Sequence, residues 1–282
     1  MRLAALLIAL LAAVVSPVDA RSDRIVSLGG TATELLVALG RGPELVGVDT
    51  TSAHPVDLVA SLPQLGSKRR LSAEGILELT PTLVVAGEEA SPRKVLRQLE
   101  RAGVTVVRLP LASSRRSAAE RIVELGKALG QDQLSMRLAA QLVTDFASAE
   151  RIAAALPRQP RVLFIQARGN GSLAAAGEDT NAGVMLELSG AIDAAEKTTG
   201  RRTLTADDFL AARPDFLVVS ARDLERLEGI EGLLALPGVA LTPAGKNRRV
   251  VTVDDQAFLG FGPRSGRAAI HLAKSWQRGL KR

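Results

Sequence analysis

Short apolar runs alternate with helix-forming segments along the first part of the chain. A capping-box pattern begins at Thr31, and an apolar stripe from Leu35 to Leu39 follows it and stops at Gly40. This pattern predicts a helix directly after the first apolar run, and a second helical segment covers 93–102. Apolar runs of strand length lie at 25–28, 45–48, 83–85 and 104–107. Alternation of this kind predicts a parallel sheet with helices on its faces.

The central part of the chain has a different pattern. Residues 117–156 contain no proline and are rich in Ala, Leu, Glu, Arg and Gln, which are good helix formers. Apolar residues recur there at helical spacing. We therefore predict one helix that ends at about Leu129 and a longer one over about 133–156. The longer helix measures roughly 35 Å at about 1.5 Å per residue, and Pro157 ends it.

Alternation then resumes and completes a second α/β unit. Strand-like runs lie at 162–165, 216–219 and 250–253, with helices expected near 182–189 and 264–279. The predicted fold class is α/β, with two Rossmann-like lobes (21–131 and 158–282) joined by one long linker helix (132–157). Because a long helix resists bending, we expect a ligand to bind between the lobes in a largely preformed cleft.

An internal repeat supports two lobes of similar construction. The segments Leu71-Ser72-Ala73-Glu74 and Leu204-Thr205-Ala206-Asp207 each begin a helical stretch, and a proline and a strand-like run follow at the same offsets. Ser72 and Thr205 are expected helix N-caps. Glu74 and Asp207 occupy equal positions, which puts one carboxylate in each lobe.

The N-terminus has the pattern of a secretory signal. An apolar run of about 13 residues follows Arg2, Ser16-Pro17 interrupts it, and small residues lead to Ala20. The run is shorter than the roughly 20 residues that span a bilayer. We therefore predict a signal peptide over 1–20 that is cleaved after about Ala20, and a periplasmic protein that is not inserted in the membrane. No cysteine follows the run, so no lipid anchor is expected.

Composition indicates binding rather than catalysis. The chain has 36 Lys+Arg and 30 Asp+Glu, a formal net charge of +6, no Cys, no Tyr and 2 His. Without cysteine there are no disulfides, thiolate metal sites or cysteine nucleophiles, and two histidines leave little for acid–base chemistry. His271 lies in the predicted last helix, where we expect it to pack. The modest mixed charge and 2% aromatic residues argue against nucleic-acid binding. We expect a protein that is not an enzyme.

Several motifs in order resemble the periplasmic substrate-binding proteins of ABC importers, of the helical-linker class III, and in particular the haem (hemin)-binding members. The motifs are distributed along most of the chain, at 24–30, 33–35, 48–52, 71–77, 176–177, 236–245 and 259–264. The resemblance implies a non-catalytic protein that delivers haem to the permease of an ABC transporter, with haem as the transported ligand rather than a catalytic cofactor. It also implies that Glu74 and Asp207 dock onto permease arginines, although acids in a first turn also stabilise a helix.

The resemblance further implies which cations hold the ligand. Arg69 matches a family arginine near the haem, and Arg264 matches one that contacts the propionates. A guanidinium suits a carboxylate geometrically, and such charge-assisted bonds are the stronger kind. Lys68 and Arg201 belong to basic turns that we expect to face each other across the cleft.

The sequence departs from the family at the iron-binding positions. The family tyrosine that ligates iron follows the glycine at the Gly66 position, and here that residue is Ser67; Arg201 replaces a second family tyrosine. A serine hydroxyl is a poor ligand for ferric iron. His54 lies in a loop after the strand at 45–48, where ligands bind in open α/β sheets, and is the remaining candidate metal ligand. Gly30, at a predicted helix N-terminus, is expected near the ligand.

Three alternatives stay open at this stage. The same fold could bind a ferric siderophore, cobalamin or another anionic metal chelate, since cationic turns fit these equally well. A sensor or interaction domain that has lost transport would account for the missing tyrosine. An exported hydrolase is the third, but Gly169-Asn170-Gly171-Ser172 lacks the nucleophile-elbow pattern.

Overall fold

The computed structural model describes residues 23–281 except 68–69, 88–89, 91–92, 169–171, 178, 196–200 and the side chain of Arg201. The predicted signal over 1–20 lies outside the described residues. Within the described ranges, no helix combines the length and the apolar character needed to cross a bilayer.

The described elements alternate between strands and helices, as the sequence predicts. The strands are β1 Ile25–Leu28, β2 Leu45–Val48, β3 Leu83–Gly87, β4 Thr105–Leu109, β5 Arg161–Ala167, β6 Leu173–Ala176, β7 Ile192–Asp193, β8 Arg201–Thr203, β9 Phe216–Ser220 and β10 Val250–Val253. The helices are α1 Gly30–Ala38, α2 Val56–Ala60, α3 Ala73–Leu77, α4 Arg93–Arg101, α5 Arg115–Ala128, α6 Asp132–Ala154, α7 Asn181–Leu188, α8 Ala206–Ala212, α9 Ala221–Arg226, α10 Gly229–Ala235, α11 Pro243–Lys246, α12 Asp255–Leu259 and α13 Ser265–Leu280.

The N-terminal lobe, from β1 to α5, is built on a parallel sheet in the order β2-β1-β3-β4. The central strands β1 and β3 are almost entirely buried. Burial on both faces explains why these strands are continuous apolar runs rather than alternating ones. The chain leaves β1 for β2 on one side and reaches β3 on the other, so the carboxyl ends of β1 and β3 form a topological switch point.

The C-terminal lobe, from β5 to α13, has a mixed sheet in the order β10-β9-β5-β6-β8, with β7 beside β5. Strands β5, β9 and β10 are parallel, whereas β6 runs antiparallel to both β5 and β8. The parallel strands were predicted, but β6 and β8 were missed. Strand β6 consists of one leucine and three alanines and β8 of three polar residues, which is too little pattern for a period-two signal.

The long helix predicted over about 133–156 is present as α6, Asp132–Ala154. It packs along α5 of one lobe and α13 of the other. Two glycines allow these close approaches: a Cβ on Gly126 would lie 2.1 Å from the Cβ of Ser135, and one on Gly266 would lie 2.5 Å from that of Asp145. Helix α6 is therefore held on two sides, which makes it a stiff joint rather than a free tether.

The internal repeat has a structural counterpart. Ser72 and Thr205 cap α3 and α8 by accepting the backbone N–H three residues ahead, at 3.4 and 3.3 Å, so both predicted N-caps are confirmed. Thr80 and Arg213 hold equivalent places before the repeat prolines, and both adopt left-handed φ angles, of 45° and 43°. Each lobe thus contains the same sequence of cap, helix, left-handed turn and central strand.

Two local predictions were wrong. The capping box predicted from Thr31 and Glu34 does not form, because α1 begins two residues earlier, with Gly29 in place of Thr31 as its N-cap and no side-chain capping bond. His271, expected to pack, is exposed on α13, since Leu272 and Trp276 occupy the buried face of that helix.

Candidate ligand-binding cleft

A cleft of about 450 Å³ lies where the carboxyl ends of the two sheets face each other. The segments that follow β1, β2, β3 and β4 form its N-terminal wall, and those that follow β9 and β10 contribute to the opposite wall. Ligands of open α/β sheets bind at these strand ends. The cleft therefore lies where the topology predicts a binding site in each lobe.

About half of the residues that line the cleft are apolar, and polar and charged side chains lie between them. The polar lining comes from Thr31, Thr51, Asn181 and Gln256 and from a small set of charged residues described below. The apolar lining consists of Leu28, Ala32, Ala53, Ala90, Leu109, Pro110, Leu111, Ala112, Ala221, Val253 and Leu259. This combination is typical of sites that bind a large apolar guest and orient it with a few polar contacts.

Gly30 lines the cleft at its inner end, where the turn between β1 and α1 is fixed by a buried carboxylate. Asp49 is fully buried and accepts the Gly29 N–H at 2.8 Å and the Thr51 hydroxyl at 2.8 Å. The Gly30 N–H donates to the same Thr51 hydroxyl at 3.1 Å. A Cβ on Gly30 would lie 2.5 Å from the Thr51 carbonyl oxygen and 2.6 Å from Oε1 of Gln256, so this part of the wall requires glycine.

Arg121 of α5 lines the cleft and joins the two lobes. Its side chain is buried, and Nη2 donates to the carbonyls of Gly260 at 2.8 Å and Phe261 at 2.7 Å. Burial lowers the pKa of Arg121 to about 10. Phe261 has a φ of 49°, a strained conformation for a bulky residue, and the guanidinium bonds to its carbonyl. Arg121 thus holds a strained corner of the C-terminal lobe against the N-terminal lobe.

Arg264, expected to face the ligand, is occupied by a second interlobe contact. Its guanidinium forms an ion pair with Glu34, whose side chain is only 2% exposed, and Nη2 lies 2.9 Å from a carboxylate oxygen of Asp254. Although burial alone would lower it, the hydrogen bond from Arg264 to Glu34 raises the pKa of Arg264 above its usual value. Arg264 does not line the cleft. The guanidinium that was expected to bind a propionate therefore binds a carboxylate of the protein itself.

The other predicted ligand contacts are only partly described. Lys68 and Arg69 lie outside the described residues, and only the backbone of Arg201 is described, as the start of β8. Ser67 is half-buried and does not line the cleft. His54 is also half-buried and outside the lining, but the adjacent Ala53 belongs to it.

The two predicted docking acids are both on the surface. Glu74 and Asp207 are exposed, and each lies in the first turn of its helix, α3 or α8. Neither forms an ion pair with another described residue. Their carboxylates are therefore available to a partner, one on each lobe.

Sequence reasoning missed Arg222 and Asp255, which line the C-terminal wall. They follow β9 and β10, two of the predicted strands, so the rule that ligands bind at the carboxyl ends of strands would have found them. Burial, and then the negative charge of Asp223, raise the pKa of Asp255 above its usual value. In the described part of the chain, no three His, Asp or Glu side chains come together as a metal site.

Comparison with known proteins gives a consistent result over most of the chain. The sequence profile of a family described as "Periplasmic binding protein" matches residues 25–257. The periplasmic heme-binding protein RhuT from Roseiflexus sp. RS-1, solved in apo form, superposes with a TM-score of 0.87 and 40% identity, over 92% of this chain and 99% of that one. The periplasmic heme-binding protein BhuT, in complex with two hemes, gives 0.84 and 36% over 92% and 99% of the two chains.

A further relative is named as a component of an ABC transporter. The uncharacterized ABC transporter substrate-binding lipoprotein YvrC of Bacillus subtilis (strain 168) is 27% identical over 259 residues, which is 89% of this chain and 79% of that protein. The structural matches agree with the two-lobed fold joined by α6.

Proposed function

Since this chain belongs to the periplasmic binding protein family, whose members bind solutes rather than transform them, we propose that it captures haem in the interlobe cleft and delivers it to the permease of an ABC importer. The observation that carries the proposal is a cleft of about 450 Å³ with apolar residues from both lobes, in a chain that is 40% identical to a heme-binding protein. Haem is a flat macrocycle with two apolar faces and two carboxylates. The apolar residues of the cleft suit its faces, and nearby cations suit its carboxylates.

The iron of the haem needs a donor other than tyrosine, since the chain contains none. His54 is our candidate for this bond. Its neighbour Ala53 lines the cleft, and the neutral imidazole of histidine is a common metal ligand. The exchange of His54 for alanine is then expected to change the visible spectrum of bound hemin while leaving a bound complex.

Hemin titration of the purified exported protein tests the proposal. We expect a saturable shift of the Soret band, and we expect cyanocobalamin and a ferric siderophore not to displace hemin. Saturable binding of one of those two chelates, with no binding of hemin, would instead assign the cleft to that chelate. Identical hemin spectra for the wild-type protein and the His54→Ala variant would remove His54 as the iron ligand.

Docking on the permease is proposed for Glu74 and Asp207. Exposed charges on separate lobes orient a protein on its partner and accelerate encounter, so reversal of both charges should abolish stimulation of the importer's ATPase without changing hemin affinity. Reversal of Glu124 and Glu225, which are also exposed, is the matched control and should leave stimulation intact. Equal losses in the two double variants would contradict a specific docking role.

Export is proposed to remove residues 1–20. The match to periplasmic binding proteins supports a location outside the cytoplasm, and the small residues that end at Ala20 support the position of the cut. Intact mass measurement of the protein isolated from the periplasm should give a chain that begins at Arg21. A mass that retains the apolar run would refute the cleavage.

A further inference from the structure

A second groove opens from the cleft on the C-terminal lobe. It measures about 490 Å³ and shares Arg222, Asp255 and Leu259 with the cleft lining. The remaining residues that line it are Gln166, Ala167, Arg168, Asp223 and Arg226. Because three residues belong to both linings, a ligand in the cleft can reach into this groove, which we call the arginine groove.

The sheet itself brings the arginines together. Arg168 follows β5 and Arg222 follows β9, and these strands are parallel neighbours with Ile165 opposite Val219. Adjacent strands lie about 4.8 Å apart. The backbone N–H of Ala167 donates to Asp223 at 3.1 Å, which ties the end of β5 to the start of α9. The two cations are therefore positioned by regular structure rather than by a long loop.

The charges of the arginine groove are incompletely balanced. Asp223 is buried and forms an ion pair with Arg226 at 3.0 Å, so one arginine is neutralised. Arg168 and Arg222 are exposed and form no ion pair with any described residue. Asp255 is the remaining acid; it is half-buried, and the positive charge of Arg222 partly offsets the effect of burial on its pKa. Two cations against one acid leave the groove positive.

We propose that Arg168 and Arg222 bind the carboxylates of the ligand whose apolar body occupies the cleft. This inference rests on the proposed function and specifies where the anionic edge of the ligand lies. The sequence assigned that task to Arg264, but Arg264 is paired with Glu34, whereas Arg168 and Arg222 are available. A guanidinium on an exposed rim can form two charge-assisted hydrogen bonds with one carboxylate.

The test compares hemin with hemin dimethyl ester, in which both carboxylates are masked. The Arg168→Ala/Arg222→Ala variant should bind hemin about tenfold or more weakly, the loss expected for removed charge-assisted hydrogen bonds, and bind the ester as tightly as the wild-type protein does. Its melting temperature should not change, since both side chains are exposed. The matched control is Arg97→Ala/Arg137→Ala, which removes two exposed arginines outside both linings and should bind both porphyrins normally.

The outcomes separate the arginine groove from the proposed function. Wild-type protein that binds hemin no more tightly than its ester refutes the groove while haem binding stands. If the groove variant binds hemin and the ester more weakly by the same factor, the groove proposal is also refuted, because the arginines would then act on the body of the ligand or on the fold. Wild-type protein that binds neither porphyrin refutes the proposed function, and the groove proposal falls with it.

Discussion

Removal of Arg264 is expected to destabilise the protein strongly, because it leaves Glu34 charged and buried. The Glu34 side chain is 2% exposed and its cation comes from the other lobe. Breaking a buried ion pair by deleting one partner costs about 3–5 kcal/mol, since the remaining charge has neither water nor a counter-ion. Asp254 also contacts Arg264, but it is half exposed, so solvent takes over its hydration and its contribution is small.

Urea unfolding of Arg264→Ala measures this cost as a free energy, and thermal unfolding measures it as a fall in melting temperature. In a chain of this size about 1 kcal/mol corresponds to roughly 2–4 °C in Tm, so the melting temperature should fall by at least about 6 °C. Arg116→Ala is the matched control, because its partner Glu120 lies on the surface of the same helix. Its effect should be too small to resolve.

A double variant separates the buried charge from lost packing. Glu34→Gln combined with Arg264→Ala removes the charge and keeps the size of the buried side chain, so it should be more stable than Arg264→Ala alone. The reasoning is refuted if Arg264→Ala is as stable as Arg116→Ala, or if the added Glu34→Gln exchange recovers nothing.

Three further outcomes follow from individual contacts. A hydrogen bond from Arg158 lowers the pKa of Asp215, so the ionised carboxylate stabilises the fold fully above about pH 4, and this stabilisation is lost as pH falls through the lowered pKa. In denaturant titrations, the difference in unfolding free energy between the wild-type protein and Asp215→Asn should therefore shrink below about pH 4. A difference that does not change with pH contradicts this. Gly30→Ala should reduce hemin affinity and stability because of the 2.5 Å overlap, whereas Gly75→Ala, in an open helical position, should not. Arg121→Met should cost about 1–3 kcal/mol in urea unfolding, because it orphans the Phe261 carbonyl, whereas the Gly260 carbonyl keeps the Thr31 hydroxyl; wild-type stability would contradict the role of Arg121 in joining the lobes.

Features fixed by local rules could be predicted from the sequence. The caps at Ser72 and Thr205 depend on one side chain and a backbone N–H three residues away, and α6 depends on helix formers without proline. Gly30 lines the cleft, and its place at a strand end followed by a helix start is itself a local pattern. Each of these features is determined within one or two turns of chain.

Features fixed by long-range partners could not be predicted in this way. Glu34 looked like part of a capping box, but its partner Arg264 lies more than two hundred residues away and belongs to the other lobe. The family resemblance assigned Arg264 to the ligand because it could not show that a buried carboxylate already occupies it. The strand-end rule could have placed Arg222 at the cleft, since it follows the predicted strand β9. Its grouping with Arg168 in one groove depends on the packing of β5 beside β9.

The interlobe contacts constrain how a ligand can be released. Arg121 and the Glu34–Arg264 pair both join the N-terminal lobe to the segment that runs from Gly260 to Arg264. Separating the lobes at this joint would break the Glu34–Arg264 pair and the bonds of Arg121 together. The separated charges would regain their hydration, which offsets much of the lost attraction, so opening depends on breaking these contacts as one unit. If Glu74 and Asp207 dock as proposed, a permease that holds both lobes would apply its binding energy across this joint, and the two acids would then act in release as well as in orientation.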